Sequence, residues 1–526
     1  MTGRDAEADA VGERTPCGRG AAYGATYGKA GRDEVRAGPR WTVLASANRR
    51  RPAAGSRPAR SPRVQHRTLA AAAFLAASLA AFAAVCAALG LPMADLFVYR
   101  AEGLAVAHGT DLYGLAVTHW QLPATYPPFA ALLFVPLGWL SPAATKALFL
   151  LGNVAALALL VRLSLRFAGR PRKGSPSTPA VLAGTALALW LEPVFQTVVF
   201  GQINLVLGCL VLWDLGRPDT ARGKGLAIGL AAGIKLTPAV FAVHLLLTGR
   251  VRAGLTALAG FAGTVAAGAL VLPEGSADYF TRRMFETTRV GKAWIVDNQS
   301  LQGLVARLAH TPDPGPWWLL PAAAVGLAGL ALARRLHLRH GWPRWSLLVT
   351  ALTALLVSPI SWSHHWVWCV PLLALLTDLA YGTRTKPGTR DTRTGEQAGG
   401  AGRSNPYALT ALAAVALVFT ARSLWLVPKQ GRLDLRLAWW NQPPASPYPL
   451  LALALLAAVA LAARRYSSAS RSASASTSAS ASAADSAPAS TPAGPAPETA
   501  SATGAPAAAE ANSGPSASSS CASTMR

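Results

Sequence analysis

Long apolar runs, separated by short polar linkers, fill the middle of this chain. The first begins at Leu69 and ends at Leu91, and comparable runs recur as far as Leu461. An α-helix needs roughly 20 mainly apolar residues to cross the hydrocarbon layer of a bilayer. By that measure the candidate spans are about 69–91, 145–168, 179–199, 202–216, 225–248, 252–272, 317–336, 345–360, 363–381, 407–427 and 447–464. The pattern predicts an all-α, polytopic membrane protein.

Basic residues are concentrated in the linkers and just before the first span. Arginines stand at 49, 50, 51, 57, 60, 63 and 67, and the linkers 170–173, 217–224, 250–252, 334–339, 384–390 and 464–465 are also basic. Cytoplasmic loops carry an excess of Lys and Arg, so we expect these segments and both termini in the cytoplasm. A cleaved secretory signal is the alternative interpretation of the first run. The long preceding arm and the many later spans favour an uncleaved anchor.

Two apolar stretches do not fit a simple count of spans. The stretch 225–248 has basic residues at both ends and contains Lys235 and Pro238. We interpret it as two half-spans, 225–235 and 236–248, because proline breaks a helix and broken segments occur in membranes where they line a cavity. Tyr126 to Leu140 is too short for a span and is predicted to be re-entrant or interfacial on the outer side. The result is about twelve crossings with broken and re-entrant helices.

Composition divides the chain into three parts. Residues 1–67 are polar and rich in Arg and Gly, and 466–526 are almost wholly Ser, Ala, Thr and Pro. Neither part has the apolar pattern of a packed core, so both are predicted to be disordered. Residues 68–465 form the predicted transmembrane domain, with outer loops 92–144 and 273–316.

The net charge of +25 is a signal of nucleic-acid binding only if the charges form one surface. Here they fall in the N-terminal arm and the short linkers, as cytoplasmic loops require. Charged residues make up 14% of the chain, against roughly 25% in soluble domains. We therefore expect a lipid bilayer as partner and no nucleic acid.

The sequence shows no framework for a metal or a cofactor. The five cysteines are scattered without CxxC spacing. His364 and His365 are adjacent, and neighbouring residues on a helix point about 100° apart, so they are poorly placed to share one metal. No GxxxxGK[ST] or Rossmann fingerprint occurs. If the protein is a transferase, its donor must arrive in the membrane on a lipid.

Several polar residues are predicted to converge on the outer face. Asp95 lies at the outer end of the first span, where it could be an interfacial residue or a general base that takes a proton from an attacking sugar hydroxyl. Lys235 could snorkel to the interface, or it could bind a lipid phosphate as a point charge. The candidates for binding the donor phosphate or sugar are Lys235, His364, His365, Asn298, Gln299, Ser300 and Arg100.

The order and spacing of several motifs resemble a known family. They are DLFVYR followed by GTDLY, then YPPFAALLFVPL, GQINLVLGCLVLWDL, GLAAGIKLTPAVFAVHLLLTGR, DNQSLQG and SPISWSHHWVW. Over about 68–465 the chain resembles bacterial glycosyltransferase family 87, which comprises integral-membrane GT-C enzymes. Many of these are polyprenol-phosphate-mannose-dependent alpha-(1→2)-mannosyltransferases. The resemblance implies a polyprenyl-phosphate donor, an extracytoplasmic active site, inversion at the anomeric carbon and Asp95 as the general base.

Two functions remain open at this point, beside a third possibility, a non-catalytic scaffold that has lost its activity. The first is an inverting transferase that moves a hexose, expected to be mannose, to an extracytoplasmic glycan or glycolipid. The alternative is a secondary transporter or a flippase for lipid-linked sugars, with the break at Lys235 as a substrate site near the midplane. The lack of evident internal repeats and the long, uneven outer loops favour the transferase.

Overall fold

The computed structural model describes residues 62–169, 176–382, 405–429 and 431–485. Over these residues the protein is helical, and its β pairing consists of two isolated bridges, Val117–Leu122 and Asn298–Trp362. The helices of the first half are α1 Pro62–Leu89, α2 Ala94–His108, α3 Pro128–Gly138, α4 Pro142–Phe167, α5 Thr178–Ala188, α6 Glu192–Phe200, α7 Asn204–Leu215, α8 Leu226–Ile234, α9 Val240–Leu247 and α10 Val251–Val271.

The second half continues in the same way. Its helices are α11 Pro273–Thr281, α12 Thr287–Val290, α13 Leu301–Leu308, α14 Leu319–Leu338, α15 Pro343–Val357, α16 Cys369–Tyr381, α17 Pro406–Thr420, α18 Gln442–Ala445 and α19 Pro447–Asp485. Many helices open on a proline, whose fixed φ suits the first turn and whose missing N–H is not needed there. The prediction of an all-α protein is confirmed.

Within the described ranges, six helices are long and apolar enough to cross a membrane. They are Pro62–Leu89, Pro142–Phe167, Val251–Val271, Gly315–Leu338, Pro406–Trp425 and Pro447–Ala469. The other apolar helices are shorter, such as α7 and α15. The count of about twelve crossings therefore stays a prediction, although the polytopic membrane architecture is clear.

The predicted span 179–199 is bent. It consists of α5 and α6, whose axes differ by 78°. Leu191 is extended at the break, and Pro193 follows one residue after the start of α6. Proline cannot donate the helical hydrogen bond to the carbonyl four residues earlier and its ring clashes with that carbonyl, which explains the break. The bend carries the end of α6 toward the start of α2.

The predicted break at Lys235 is present. Lys235 is extended, with φ of −144° and ψ of 129°, and it ends α8. A 3-10 turn, Thr237–Ala239, then leads into α9. Small residues let α8 lie against α10, since a Cβ at Gly229 would meet the backbone of that helix. The break leaves the Lys235 side chain inside the helix bundle.

The two predicted outer loops contain ordered helices. The loop 92–144 contains α2 and α3, and the loop 273–316 contains α11, α12 and α13. At the chain ends, α1 starts before the predicted boundary at 68 and α19 continues past 466, while 1–61 and 486–526 lie outside the described residues. The helices of the loops 92–144 and 273–316 and the breaks at Lys235 and Leu191 surround the candidate site.

Candidate functional site

The start of α2 lies against the end of α6. The Met93 N–H donates to the Val199 carbonyl at 3.1 Å. Gly201 ends α6 with a φ of +69°, and a Cβ there would lie 2.7 Å from the Leu96 Cβ. Glycine accepts this conformation and this closeness at little cost. The junction brings Gln202, the next residue, beside Asp95.

Asp95 and Gln202 lie in the wall of one cavity, and the Gln202 side chain acts as a hydrogen-bond partner that lowers the pKa of Asp95. The Gln202 Oε1 accepts hydrogen bonds from the Tyr99 hydroxyl at 2.9 Å and the Tyr126 hydroxyl at 3.1 Å, and the two hydroxyls lie 2.7 Å apart. Gln202 and both tyrosines are buried, and Asp95 is half-buried. Together these four side chains form a polar array, and only its carboxylate can act as a base near neutral pH.

The electrostatics suit Asp95 to proton transfer. Burial raises the pKa of Asp95 to about 6, although the Gln202 hydrogen bond and the Lys235 charge act to lower it. At neutral pH the carboxylate is mostly ionised, and it is more basic than an ordinary aspartate. A general base works best when its pKa lies near the operating pH.

Lys235 forms the second polar group. Its Nζ donates to Asn204 Oδ1 at 3.1 Å and lies 3.1 Å from His365 Nε2. An ammonium can only donate, so the His365 Nε2 accepts, and in a neutral ring the proton is on Nδ1. The Nζ also lies 5.3 Å from the centre of the Tyr126 ring. Two acceptors use two of the three N–H groups, and the third can bind a ligand.

Two cavities adjoin at Lys235. The first, of about 300 Å³, is mainly apolar, with walls from Leu207, Val211, Val240, Phe241, Leu355 and Trp368. The second, of about 240 Å³, is polar and aromatic, with walls from Asp95, Tyr99, Tyr126, Gln202, Arg283, Arg289 and Trp362. Lys235 and His365 contribute to the walls of both. A ligand with an apolar tail, an anionic centre and a polar head matches this arrangement.

Two arginines of the segment 273–316 line the polar cavity. Arg283 is paired with Asp278 at 2.7 Å and Glu286 at 3.1 Å, and Arg289 donates to the Tyr113 carbonyl at 2.8 Å. Sequence reasoning missed both. Both lie in the loop 273–316, which is predicted to be extracytoplasmic. Basic residues in such a loop run against the positive-inside rule, and that exception was the available signal.

The structure brings together Asp95, Lys235 and His365 and leaves His364 apart. His364 is buried and does not line either cavity. Its backbone carbonyl accepts hydrogen bonds from Thr197 at 3.1 Å and Asn204 at 3.0 Å. This anchoring fixes the segment that presents His365, so the backbone of His364, rather than its ring, supports the site.

The predicted ligand-binding triplet Asn298, Gln299 and Ser300 lies outside both cavities. All three are fully buried. Asn298 bonds the backbone of Ala293, Pro359 and Ser361, Gln299 that of Val296, Ala445 and Tyr448, and Ser300 the Pro359 carbonyl and the Gly303 N–H. Their polar groups hold the 296–303 segment against the segment 359–363. In this structure their side chains hold backbone groups, and the expected contact with the donor stays a prediction.

Arg100 is also outside the cavities. Its guanidinium donates to the Leu140 carbonyl at 3.2 Å and lies 3.5 Å from the Gly138 carbonyl. These carbonyls lie at the end of α3, where helical carbonyls lack partners and a cation is favourable. Arg100 therefore joins α2 to α3 and lines neither cavity.

Sequence reasoning also missed Tyr99, Tyr126, Gln202 and Asn204. Gln202 and Asn204 belong to the GQIN segment between two apolar runs. Amides at the junction of two spans are costly to bury unless they are hydrogen-bonded, and this was the usable signal. Which partners they have follows only from the packing of α2, α6 and α7.

Comparisons with known proteins identify the family of the chain. The family model described as Glycosyltransferase family 87 matches residues 124–359. A polyprenol-phosphate-mannose-dependent alpha-(1-2)-phosphatidylinositol mannoside mannosyltransferase of Mycobacterium tuberculosis is 36% identical over 304 residues, 55% of this chain and 71% of that protein. A corresponding pentamannoside mannosyltransferase of M. tuberculosis is 37% identical over 308 residues, 57% of this chain and 69% of that protein.

Among solved structures, ArnT from Cupriavidus metallidurans bound to undecaprenyl phosphate aligns with 72% of this chain and 76% of its own. The TM-score is 0.32 and the identity 16%, so no conclusion is drawn from that alignment. The two mycobacterial mannosyltransferases do show the family, because the similarity covers more than two thirds of their length at more than a third identity. As its motifs predict, this membrane protein belongs to glycosyltransferase family 87 and is a glycosyltransferase.

Proposed function

We propose that the protein transfers mannose from a polyprenyl-phosphate donor to a hydroxyl group of an extracytoplasmic glycan or glycolipid. The observation that carries the proposal is the position of Lys235 and His365 in the walls of both cavities. The names of the relatives, which specify polyprenol-phosphate-mannose and mannosyl transfer, support the choice of donor and sugar.

The apolar, anionic and polar parts of the donor determine its position in the two cavities. The first isoprene units of the polyprenyl chain occupy the apolar cavity, where Val240, Phe241 and Trp368 replace water. The phosphate meets the Lys235 ammonium in a charge-assisted hydrogen bond. The sugar then lies in the polar cavity, on the side of Asp95. This order matches the sequence of apolar, cationic and polar surfaces along the two cavities.

The reaction is a displacement at the anomeric carbon. The Asp95 carboxylate accepts the proton of the acceptor hydroxyl as its oxygen attacks that carbon. The bond between the anomeric carbon and the phosphate oxygen breaks, and its electron pair leaves with the polyprenyl phosphate. Lys235 stabilises the charge that develops there, and Asp95 later releases its proton to water. In-line attack inverts the configuration, and atoms and charge balance without a further reactant.

We also place the site on the extracytoplasmic face, with both termini in the cytoplasm. The basic linkers support this orientation through the positive-inside rule. An epitope tag at either terminus should be inaccessible from outside intact cells. A tag between 311 and 315, where the exposed Asp313 lies, should be accessible.

The decisive experiment uses the full chain in proteoliposomes with polyprenyl-phosphate-mannose labelled in the sugar. Cell-envelope glycolipids serve as acceptors. Label that moves to an acceptor in the wild type, but not with Asp95→Asn, supports the transferase. Movement of intact labelled donor across the bilayer without transfer would instead indicate the transporter.

A further inference from the structure

We propose that Gln202 is a positioning residue for the reaction and acts through Asp95. It holds the carboxylate in one orientation and keeps it available as a base. The inference rests on the proposed role of Asp95 and adds to it Gln202, a residue of the polar cavity wall that takes no step in the mechanism above.

The Gln202 amide is fixed from both ends. Its Oε1 accepts from the hydroxyls of Tyr99 and Tyr126, so its Nε2 group is turned toward Asp95. The reverse orientation would set the amide oxygen against an ionised carboxylate, which is repulsive. The phenols and the carboxylate therefore select the same amide orientation.

The backbone of Gln202 is equally constrained. Its N–H donates to the Thr197 carbonyl at 2.8 Å, which closes the turn after α6. Gly201 allows that turn to lie against Leu96 on α2. Gln202 is only 4% exposed, so bulk water does not compete for the hydrogen bonds of its side chain. An aspartate hydrogen-bonded in this way presents one oxygen to Gln202 and has the other for an acceptor hydroxyl.

Tyr126 connects this array to the phosphate-binding group. Its hydroxyl donates to Gln202, while its ring lies 5.3 Å from the Lys235 ammonium. A cation at that distance from an aromatic ring is attracted to it. The position of the base is thereby tied to the position of the cation, so the acceptor oxygen and the leaving phosphate are aligned by one set of contacts.

The Gln202 hydrogen bond should affect the pKa of Asp95. Hydrogen bonding to the charged form of an acid lowers its pKa, and burial without such a bond raises it. Loss of the Gln202 N–H should therefore raise the pKa of Asp95 further above its present value of about 6. Because the ionised carboxylate is the reactive form, activity should be lost chiefly on the acid side.

The test is the pH profile of kcat/KM for Gln202→Met, which keeps the length of the side chain and removes both hydrogen-bonding atoms. We expect the acid limb to move upward by about one pH unit. From a starting pKa of about 6, that shift means roughly a fivefold loss at pH 6 and almost none at pH 8.5. Gln302→Met, at a buried glutamine of α13 outside both cavities, is the matched control and should leave the limb in place.

A loss that is equal at all pH values would overturn the proposal, since it would mean that Gln202 only supports folding or substrate binding. If Gln202→Met does not fold, Tyr99→Phe replaces it. That variant removes one donor to Oε1 and keeps the ring that stacks on Phe134 at 4.6 Å. It should move the limb in the same direction by a smaller amount, and an unmoved limb would reject the proposal. A wild-type protein that transfers no sugar would reject the proposed function instead.

Discussion

The Lys235 ammonium lies 3.1 Å from the Nε2 atom of His365, at the point where an apolar cavity meets a polar one. These two residues are 130 positions apart in the chain. Lys235 comes from the break between α8 and α9, and His365 comes from the 3-10 segment Ser363–Trp368. Two interruptions of regular helix thus supply a pair of polar side chains inside an apolar bundle, at the point where we propose that the donor phosphate binds.

The rate of sugar transfer should depend on pH through Asp95. Its raised pKa, about 6, means that the carboxylate is ionised above that pH and protonated below it. A protonated carboxyl cannot accept the acceptor proton, so kcat/KM should be level above pH 7 and fall about tenfold per pH unit below pH 5. Labelled-mannose transfer between pH 4.5 and 8.5 measures this. A profile that is level down to pH 4.5 would exclude Asp95 as the base.

Removal of the Lys235 charge should weaken both donor binding and the chemical step. Lys235→Met keeps the apolar stem and loses the ammonium, which is worth about 1.5–3 kcal/mol in a hydrogen bond to a charged group. We expect kcat/KM to fall roughly 10- to 100-fold, measured with saturating acceptor and varied donor.

The matched control for this change is Lys146→Met. Lys146 is also half-buried and donates to the Leu91 carbonyl, but it lies outside both cavities. It should retain near-normal donor kinetics. Equal losses in the two variants would remove Lys235 from the phosphate-binding role.

A Cβ at Gly201 should disturb the site as well as the fold. Gly201→Ala forces a residue with a side chain into a left-handed conformation, at a cost of about 1–2 kcal/mol, and pushes that side chain against Leu96. We expect a lower Tm in detergent and a loss of transfer, because Gln202 and Asp95 are separated.

Gly263→Ala gives the comparison for Gly201→Ala. Gly263 lies inside α10, and a Cβ there would meet nothing within 4 Å. Alanine has the higher helix propensity, so Tm should stay the same or rise. A Gly201→Ala protein with wild-type stability and activity would show that the close approach is not required.

Glu102 should be protonated in the folded protein at neutral pH. Burial raises the pKa of Glu102 to about 8, well above that of an exposed glutamate. Between the pKa of an exposed glutamate and about 8, the Glu102 carboxyl is ionised in the unfolded chain and protonated in the folded chain. The free energy of unfolding therefore decreases as pH rises through that window. Glu102→Gln removes the cost of protonation and should raise Tm most clearly near pH 8.

Glu192→Gln is expected to have the opposite effect. The Glu192 carboxylate accepts hydrogen bonds from Ser363 at 2.9 Å, Trp425 at 3.2 Å and Tyr448 at 2.6 Å. An amide can offer only one oxygen to these donors, so this variant should have a lower Tm. A fall in Tm for Glu102→Gln would contradict the assigned protonation state.

Sequence alone determined the membrane class, the main spans, the break at Lys235 and the family. The length of the apolar runs, the basic linkers and the proline within the stretch 225–248 are local properties that can be read directly from the sequence. It also singled out Asp95, Lys235 and His365, because ionisable groups are expensive beside apolar runs and are retained there for a reason.

Only the tertiary structure decided which polar residues face the cavities. Asn298, Gln299 and Ser300 had the same appearance in the sequence as ligand-binding residues, yet their side chains are fully used by backbone groups from distant segments. Gln202, in contrast, gained its importance from a turn at Gly201 and from two tyrosines on other elements. Hydrogen-bond partners across long sequence separations depend on how helices pack. The local pattern of apolar and polar residues does not encode that packing, so it identified candidate residues but not the orientation of each side chain.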